Sequence, residues 1–148
     1  MTGLQLRREG DLALRSRALL VDDEPSILFT LGLVLQSEGF ELQTADSAEI
    51  AKSYLLKAEF DLVVTDLNLE HPLSGFDIVR LAKQNPVKPA TIVISAFYDD
   101  LAAWSQHGAD AGLPKPTDIE ELLKTVGRLL SHRESGNGKK VNRHIAGC

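Results

Sequence analysis

The chain has 148 residues, about the length of one ordinary domain, and its 43% hydrophobic and 25% charged residues are typical of a soluble globular protein. Its single cysteine, Cys148, excludes disulfides within the chain and zinc sites built on several thiolates. No apolar run approaches the roughly 20 residues of a membrane span, and the N-terminus lacks the apolar segment of a signal peptide. These features predict a cytoplasmic domain with one core.

The net charge of -5 is unevenly distributed. Residues 1–17 have a net charge of +2 and residues 131–148 a net charge of +3, which leaves -10 for residues 18–130. Because an acidic surface repels phosphates, we expect no direct binding to nucleic acid. The basic ends are predicted to be flexible, which gives an N-terminal segment 1–16, a domain 17–131 and a C-terminal tail 132–148.

Short apolar runs alternate with amphipathic ones along residues 18–130, a pattern that predicts an α/β fold with a parallel sheet between two layers of helices. The first strand is Ala18–Val21, and Pro25 precedes a helix that Gly39 ends. The other predicted strands are 40–44, 62–65, 91–94 and 109–113. The other predicted helices follow Asp46 or Ser47, Gly75, Asp99 and Asp118, and that from Asp99 runs to His107. In the second helix the apolar residues Ile50, Ala51, Tyr54 and Leu55 are expected to share a face.

Polar side chains follow four of these strands. Asp22 and Asp23 follow the first strand, Asp66 the third, Ser95 the fourth and Lys115 the fifth. Because parallel strands end at the same edge of a sheet, these groups are expected to lie together. Clustered carboxylates repel one another unless they share a cation, and oxygen ligands without a nearby histidine or thiol favour Mg²⁺ or Mn²⁺. A lysine and a hydroxyl beside them can hold a tetrahedral anion such as a phosphoryl group.

Four segments contain these strand-end residues and read Leu-Leu-Val-Asp-Asp-Glu-Pro (19–25), Asp-Leu-Val-Val-Thr-Asp (61–66), Ile-Ser-Ala (94–96) and Lys-Pro (115–116). Together they resemble the receiver domain of bacterial response regulators, the CheY-like fold. The resemblance covers about residues 17–131. It implies a doubly wound, five-stranded parallel sheet of the flavodoxin-like (βα)5 type, a three-layer sandwich with strand order 2-1-3-4-5.

The resemblance also implies a function in two-component signalling, in which a histidine kinase or phosphotransfer protein supplies a phosphoryl group. By that resemblance Asp66 is the phosphoacceptor, and the metal ligands are Asp22, Asp23, Asp66 and the backbone carbonyl of Asn68. Ser95 would be the switch hydroxyl, and Lys115 would pair with the phosphoryl oxygens. Such a domain is a switch rather than an enzyme that turns over. Its downstream protein is left open, as is pairing with a second copy of itself. The Lys115–Pro116 bond is predicted to be cis.

The sequence departs from the family pattern at several positions. Gly112 stands three positions before Lys115, where family members commonly have an aromatic residue that turns inward on activation, so output is expected to leave through the segment after Ser95 or through the final helix. Phe97 is either a gate that limits water access to the phosphoryl group or a core residue. The loop after Asp66 is about one residue longer than usual, and its extra groups, Glu70 and His71, are predicted to be solvated.

Three other functions are alternatives to a phosphorylated receiver. A haloacid-dehalogenase-type phosphohydrolase needs a second acid two residues after the nucleophile, where this chain has Asn68. A flavodoxin-like cofactor binder needs a phosphate-binding first loop, whereas Asp22, Asp23 and Glu24 would repel phosphate. A degenerate receiver, which binds partners without phosphorylation, remains the alternative because of Gly112. The tail after the last helix is too short for a DNA-binding domain, which favours a stand-alone receiver over an excised fragment.

Overall fold

Five parallel strands form a single sheet in the computed structural model, which describes residues 16–137 apart from the side chains of residues 98, 101 and 134–137. The strands are β1 (Arg17–Val21), β2 (Glu41–Ala45), β3 (Leu62–Asp66), β4 (Ala90–Ser95) and β5 (Ala111–Pro114). Their order is β2-β1-β3-β4-β5, and all neighbours are parallel. The predicted fold class and strand order are therefore confirmed.

Helices connect the strands and cover both faces of the sheet. They are α1 (Pro25–Ser37), α2 (Ala48–Lys57), α3 (Gly75–Lys83), the four-residue α4 (Tyr98–Leu101) and α5 (Ile119–Asn137). Ser47 begins α2 by accepting a hydrogen bond from the Ile50 backbone N–H. Asp118 precedes α5, and its carboxylate accepts hydrogen bonds from the backbone N–H groups of Glu120 and Glu121. Among the described helices, none is both long and apolar enough to cross a membrane.

The helix predicted from Asp99 to His107 is wrong. The segment forms α4 and then a separate 3-10 helix, Trp104–His107, because Ala103 between them has non-helical backbone angles. The tighter turn places the His107 ring on that of Phe76, with centroids 4.0 Å apart and the planes 15° from parallel. Trp104 packs against the same buried cluster. Packing of His107 and Trp104 against the core is therefore achieved with two short helices in place of the single predicted one.

Two hydrophobic clusters lie on opposite faces of the sheet because successive residues of a strand point to opposite sides. Leu20 and Val64 pack with α1 and α5, whereas Leu19 and Val63 pack with α2 and α3. Residues of β3 and β4 are buried along their full length, as expected for central parallel strands. Of the four α2 residues predicted to share a face, Ala51 and Leu55 are buried and Tyr54 packs against the same cluster, whereas Ile50 is 42% exposed. Ala48 completes the buried face.

The final helix extends beyond the predicted domain end. It runs to Asn137, so the boundary placed at residue 131 falls inside α5. Arg133 lies in this extension, and its Nη1 donates to the backbone carbonyl of Asp61 at 3.1 Å and lies 3.4 Å from the Asp61 carboxylate. The remainder of the predicted flexible ends, residues 1–15 and 138–148, lies outside the described residues.

Candidate functional site

Three carboxylates converge at the carboxyl edge of the sheet. Asp22 and Asp23 directly follow β1, and Asp66 is the last residue of the adjacent strand β3. One oxygen from each lies within 4.8 Å of the others. Asp22 and Asp66 are buried and Asp23 is exposed, so the cluster opens to solvent on one side. The residues predicted to bind a metal through their side chains are therefore together.

Lys115 bridges two of these carboxylates. Its Nζ lies 3.1 Å from Asp66 Oδ2, 3.1 Å from Asp22 Oδ2 and 3.4 Å from Glu24 Oε1. The lysine follows β5, and its backbone N–H donates to the Ser95 carbonyl at 2.9 Å. The predicted cis bond between Lys115 and Pro116 is confirmed. One cation thus offsets part of the repulsion within the acidic cluster.

The protonation of the site follows from this arrangement. Burial raises the pKa of Asp66 above its usual 3.8, and the nearby Asp22 charge adds to the increase. The Asn68 backbone N–H and Lys115 oppose that increase but do not cancel it. Burial alone would lower the pKa of Lys115, yet its hydrogen bonds to Asp22 and Asp66 raise the pKa above its usual value. The lysine is therefore a permanent cation in a site where further negative charge is costly.

Ser95 ends β4 and is fully buried. Its Oγ accepts a hydrogen bond from the Phe97 backbone N–H at 3.0 Å and lies 3.4 Å from Asn68 Nδ2. Asn68 Nδ2 also donates to Asp100 Oδ2 at 3.2 Å. One side-chain amide therefore links the end of β3, the Ser95 hydroxyl and α4. Asp100 was not predicted, because a single acid in the first turn of a helix has no distinguishing sequence signal.

Gly75 fixes how closely α3 approaches the end of β3 at Asp66. A Cβ at residue 75 would lie 2.5 Å from the Asp66 carbonyl oxygen and 2.8 Å from the Leu67 Cα. The Gly75 N–H donates to the Leu67 carbonyl at 2.8 Å. Only glycine permits this backbone contact, so the residue that opens α3 also positions the carboxyl end of β3.

The loop before Gly75 makes hydrogen bonds within itself and to the start of α2. Asn68 Oδ1 accepts from the Leu73 N–H at 2.8 Å, and Leu73 has a left-handed backbone with φ of 65°. Glu70 and His71 are exposed, as predicted. Glu70 has an additional contact that was not predicted, since both its oxygens accept from the Ala48 N–H, at 3.2 and 3.0 Å. A carboxylate at this position is also stabilised by the positive, N-terminal end of the α2 dipole. The loop thus joins the site to the start of α2.

Phe97 and Gly112 are two positions at which the sequence departs from the family pattern, and the structure places both near Ser95. Phe97 is 60% exposed, so the alternative that it is a core residue is excluded and the gate stays a prediction. Gly112 lies on β5 opposite Val93, next to the strand that ends at Ser95. No side chain at residue 112 can respond to movement of the Ser95 hydroxyl.

The donor set fits a hard divalent cation. The side chains of Asp22, Asp23 and Asp66 offer only oxygen, and their clustering leaves an excess of negative charge beside Lys115. The backbone N–H of Asn68 donates to Asp66 Oδ1 at 3.2 Å. The role of the Asn68 carbonyl stays a prediction.

Comparison with known proteins agrees with this geometry. The family model of the response regulator receiver domain matches residues 18–127. The cell cycle response regulator CtrA of Brucella ovis is 28% identical over 127 residues, which are 84% of this chain and 54% of that protein. The chain therefore spans about half the length of the curated relatives it matches.

Two of the similar solved structures resemble the chain in both fold and sequence. The chemotaxis response regulator CheY4 of Vibrio cholerae is 28% identical with a TM-score of 0.69, and the match covers 78% of this chain and 98% of that one. The response regulator TrrA of Thermotoga maritima, solved in complex with Mg²⁺-BeF, is 29% identical with a TM-score of 0.65, and the match covers 77% and 98%. With the acidic cluster and lysine at the expected strand ends, the chain belongs to the response regulator receiver domain family of two-component systems.

Proposed function

We propose that this receiver accepts a phosphoryl group on Asp66 from a histidine kinase or phosphotransfer protein and thereby switches its protein contacts. The observation that supports this most directly is the Lys115 bridge, 3.1 Å from both Asp66 and Asp22, inside a three-carboxylate cluster. A carboxylate can attack phosphorus when nearby cations offset the charge that develops on the phosphoryl oxygens.

The transfer step makes one bond and breaks one. An Asp66 carboxylate oxygen forms an O–P bond while the P–N bond of the donor's phosphohistidine breaks, and the departing imidazole keeps the electron pair and takes up a proton. Lys115 remains charged throughout, because its pKa is raised by Asp22 and Asp66. Its ammonium group can move from sharing the two carboxylates to pairing with a phosphoryl oxygen.

Asp22, Asp23 and Asp66, with the backbone carbonyl of Asn68, would hold Mg²⁺, and Mn²⁺ suits the same oxygen ligands. When bound, such a cation neutralises charge on the nucleophile and on the phosphoryl oxygens. In its absence Lys115 alone opposes the three acids, so the metal-free site is poorly suited to receive another anion.

The switch follows from contacts of Ser95. Both hydrogen bonds at its Oγ use the oxygen as acceptor, so the hydroxyl proton can be donated to a phosphoryl oxygen. Movement of Ser95 would withdraw one partner from Asn68 Nδ2, whose other partner is Asp100. The new negative charge would also repel Asp100. With Gly112 unable to respond, α4 and the 3-10 helix after it become the output surface.

Phosphorylation can be tested by intact mass after incubation with a small phosphodonor and Mg²⁺. We expect one phosphoryl adduct on the native chain and on Asp99→Asn, a matched change of an exposed aspartate. No adduct is expected on Asp66→Asn or in chelator. A natively folded chain without an adduct would instead establish the degenerate receiver that Gly112 favours.

The output route can be tested by hydrogen exchange with and without Mg²⁺ and beryllofluoride. We expect the exchange rates of residues 96–107 to differ between the two conditions. The difference should be smaller in Asp100→Ala, because this variant has already lost the link between Asp100 and Asn68. Changes confined to the loops after β1 and β3 would rule this route out.

The same proposal gives the chain a cytoplasmic location and no substrate turnover. Its partners would be the phosphodonor protein and a downstream protein that recognises α4, with pairing of two copies as a further possibility that the state of Asp66 would control.

A further inference from the structure

A second charged site lies at the opposite, amino edge of the sheet. A cavity of about 340 Å³ opens between the C-terminal end of α3, the segments before β4 and β5, and the last turns of α5. Its charged and titratable lining residues are Lys83, Lys88, Asp110, Arg128, His132 and Arg133. Four permanent cations thus face one carboxylate in a chain whose net charge is -5. We call this cavity the amino-edge pocket.

Two of the four cations are already paired within the protein. Lys83 Nζ lies 2.7 Å from Asp110 Oδ2 and donates to the Pro89 carbonyl at 2.7 Å, and Arg133 Nη1 lies 3.4 Å from Asp61 Oδ1. Lys88 and Arg128 are exposed and have no ion-pair partner within the described part of the chain. The pocket therefore keeps two unbalanced positive charges after both ion pairs are taken into account.

Arg133 provides the observation that points to a ligand. Its side chain is only 12% exposed, and Nη1 is fixed by Asp61. Its Nε and Nη2 are buried and have no hydrogen-bond partner among the described residues. These two nitrogens form the guanidinium edge that donates two parallel hydrogen bonds to an oxyanion. Burying charged donors without a partner is costly, so the edge is incomplete without an acceptor.

We propose that the amino-edge pocket binds a small molecule through a phosphate monoester group. The paired donors of Arg133 match an oxyanion, while Lys88 and Arg128 add the charge that favours a dianion over a carboxylate. The volume lies at the lower end of the roughly 300–1,000 Å³ of small-molecule pockets, which suits a mononucleotide or a sugar phosphate. Binding would tie the last turns of α5 to the segment before β4.

The test uses the full chain with Asp66→Asn and without Mg²⁺, so that phosphorylation at the carboxyl edge cannot contribute. Inorganic phosphate and adenosine monophosphate are titrated at constant ionic strength, and the ¹⁵N NMR signal of Arg133 Nε and the melting temperature are followed. We expect saturable shifts of the Arg133 signal and a rise in Tm. Saturation by adenosine monophosphate at lower concentration than phosphate would assign an organic phosphate, and equal saturation would assign free phosphate.

Lys88→Gln and Arg128→Gln provide the variants, because both residues are exposed and should not disturb folding. Each is expected to weaken binding at least about tenfold through loss of a charged contact. Lys124→Gln is the matched control, an exposed lysine of α5 that does not line the pocket. The proposal is overturned if millimolar phosphate and adenosine monophosphate leave the Arg133 signal unchanged, or if all three variants respond alike. A failure here leaves the Asp66 mass experiment unaffected, since the sites and readouts differ.

Discussion

The two ends of the same sheet have opposite charge. At the carboxyl edge Lys115 lies beside three carboxylates, those of Asp22, Glu24 and Asp66. At the amino edge four cations line the pocket, and two of them, Lys83 and Arg133, are paired with carboxylates, those of Asp110 and Asp61. Each end also has a bridging ion of the opposite sign, Lys115 between Asp22 and Asp66 and Asp110 between Lys83 and Thr91. The difference shows that a modest net charge conceals two sites suited to ligands of opposite sign.

The largest expected effect on stability comes from the close backbone contact at the carboxyl edge, which does not depend on charge. Gly75→Ala should destabilise the fold by about 2–3 kcal/mol, because its Cβ would meet backbone atoms of Asp66 and Leu67 that have no room to move. Gly127→Ala is the control, since nothing lies within 4 Å of a Cβ there. It should stabilise α5 by about 0.5–1 kcal/mol. Urea unfolding measures both, and equal effects would contradict the close approach.

At the amino edge, Asp110→Ala tests the contribution of the bridging carboxylate to stability. Asp110 Oδ2 accepts from Lys83 Nζ, from the Thr91 N–H at 2.8 Å and from the Thr91 hydroxyl at 3.2 Å. Its loss should cost about 1–2 kcal/mol of unfolding free energy, since a lysine and a backbone donor lose their acceptor. Phosphate should restore more stability to this variant than to the native chain. Unfolding curves with and without phosphate measure this, and no difference between the proteins would argue against the excess of positive charge.

The corresponding test at the carboxyl edge is Asp66→Asn without metal. The raised pKa of Asp66 means that its ionisation destabilises the fold. The penalty is absent below the usual pKa of 3.8 and complete above the raised value in the folded state. The variant should therefore melt a few degrees higher than the native chain at neutral pH, and the gap should close as the pH falls.

Mg²⁺ should reverse that comparison, raising the melting temperature of the native chain more than that of Asp66→Asn. Thermal melts across pH, with and without Mg²⁺, measure both effects. A gap that widens in acid, or an equal response to Mg²⁺, would contradict the role given to the Asp66 charge.

The smallest effect concerns the loop that joins the site to α2. Glu70→Ala should lower the unfolding free energy by about 0.5–1 kcal/mol, because the Ala48 N–H loses its acceptor at the start of the helix. His71→Ala changes the adjacent exposed residue and should have almost no effect. Chemical unfolding compares the two, and equal stability of both variants would show that solvent replaces Glu70 without cost.

Much of the carboxyl edge could be predicted from local patterns. Asp22, Asp23, Asp66, Ser95 and Lys115 each follow a recognisable apolar strand, and parallel strands necessarily end together. Asp100 and the cap from Glu70 could not be predicted, because both depend on side chains that reach across loops. The break at Ala103 was missed for a similar reason, since packing of Trp104 and His107 on Phe76 overrides local helix propensity.

The sequence by itself determined the strand and helix pattern, the order of the polar groups at the strand ends and the absence of a side chain at Gly112. These properties depend on residue type and periodicity, which are local. Only the tertiary structure decided that Asn68 links Ser95 to Asp100, and that Arg133 lies buried beside Asp61 with an unpartnered edge. Such contacts join residues far apart in the chain, and their geometry exists only once the helices have packed on the sheet.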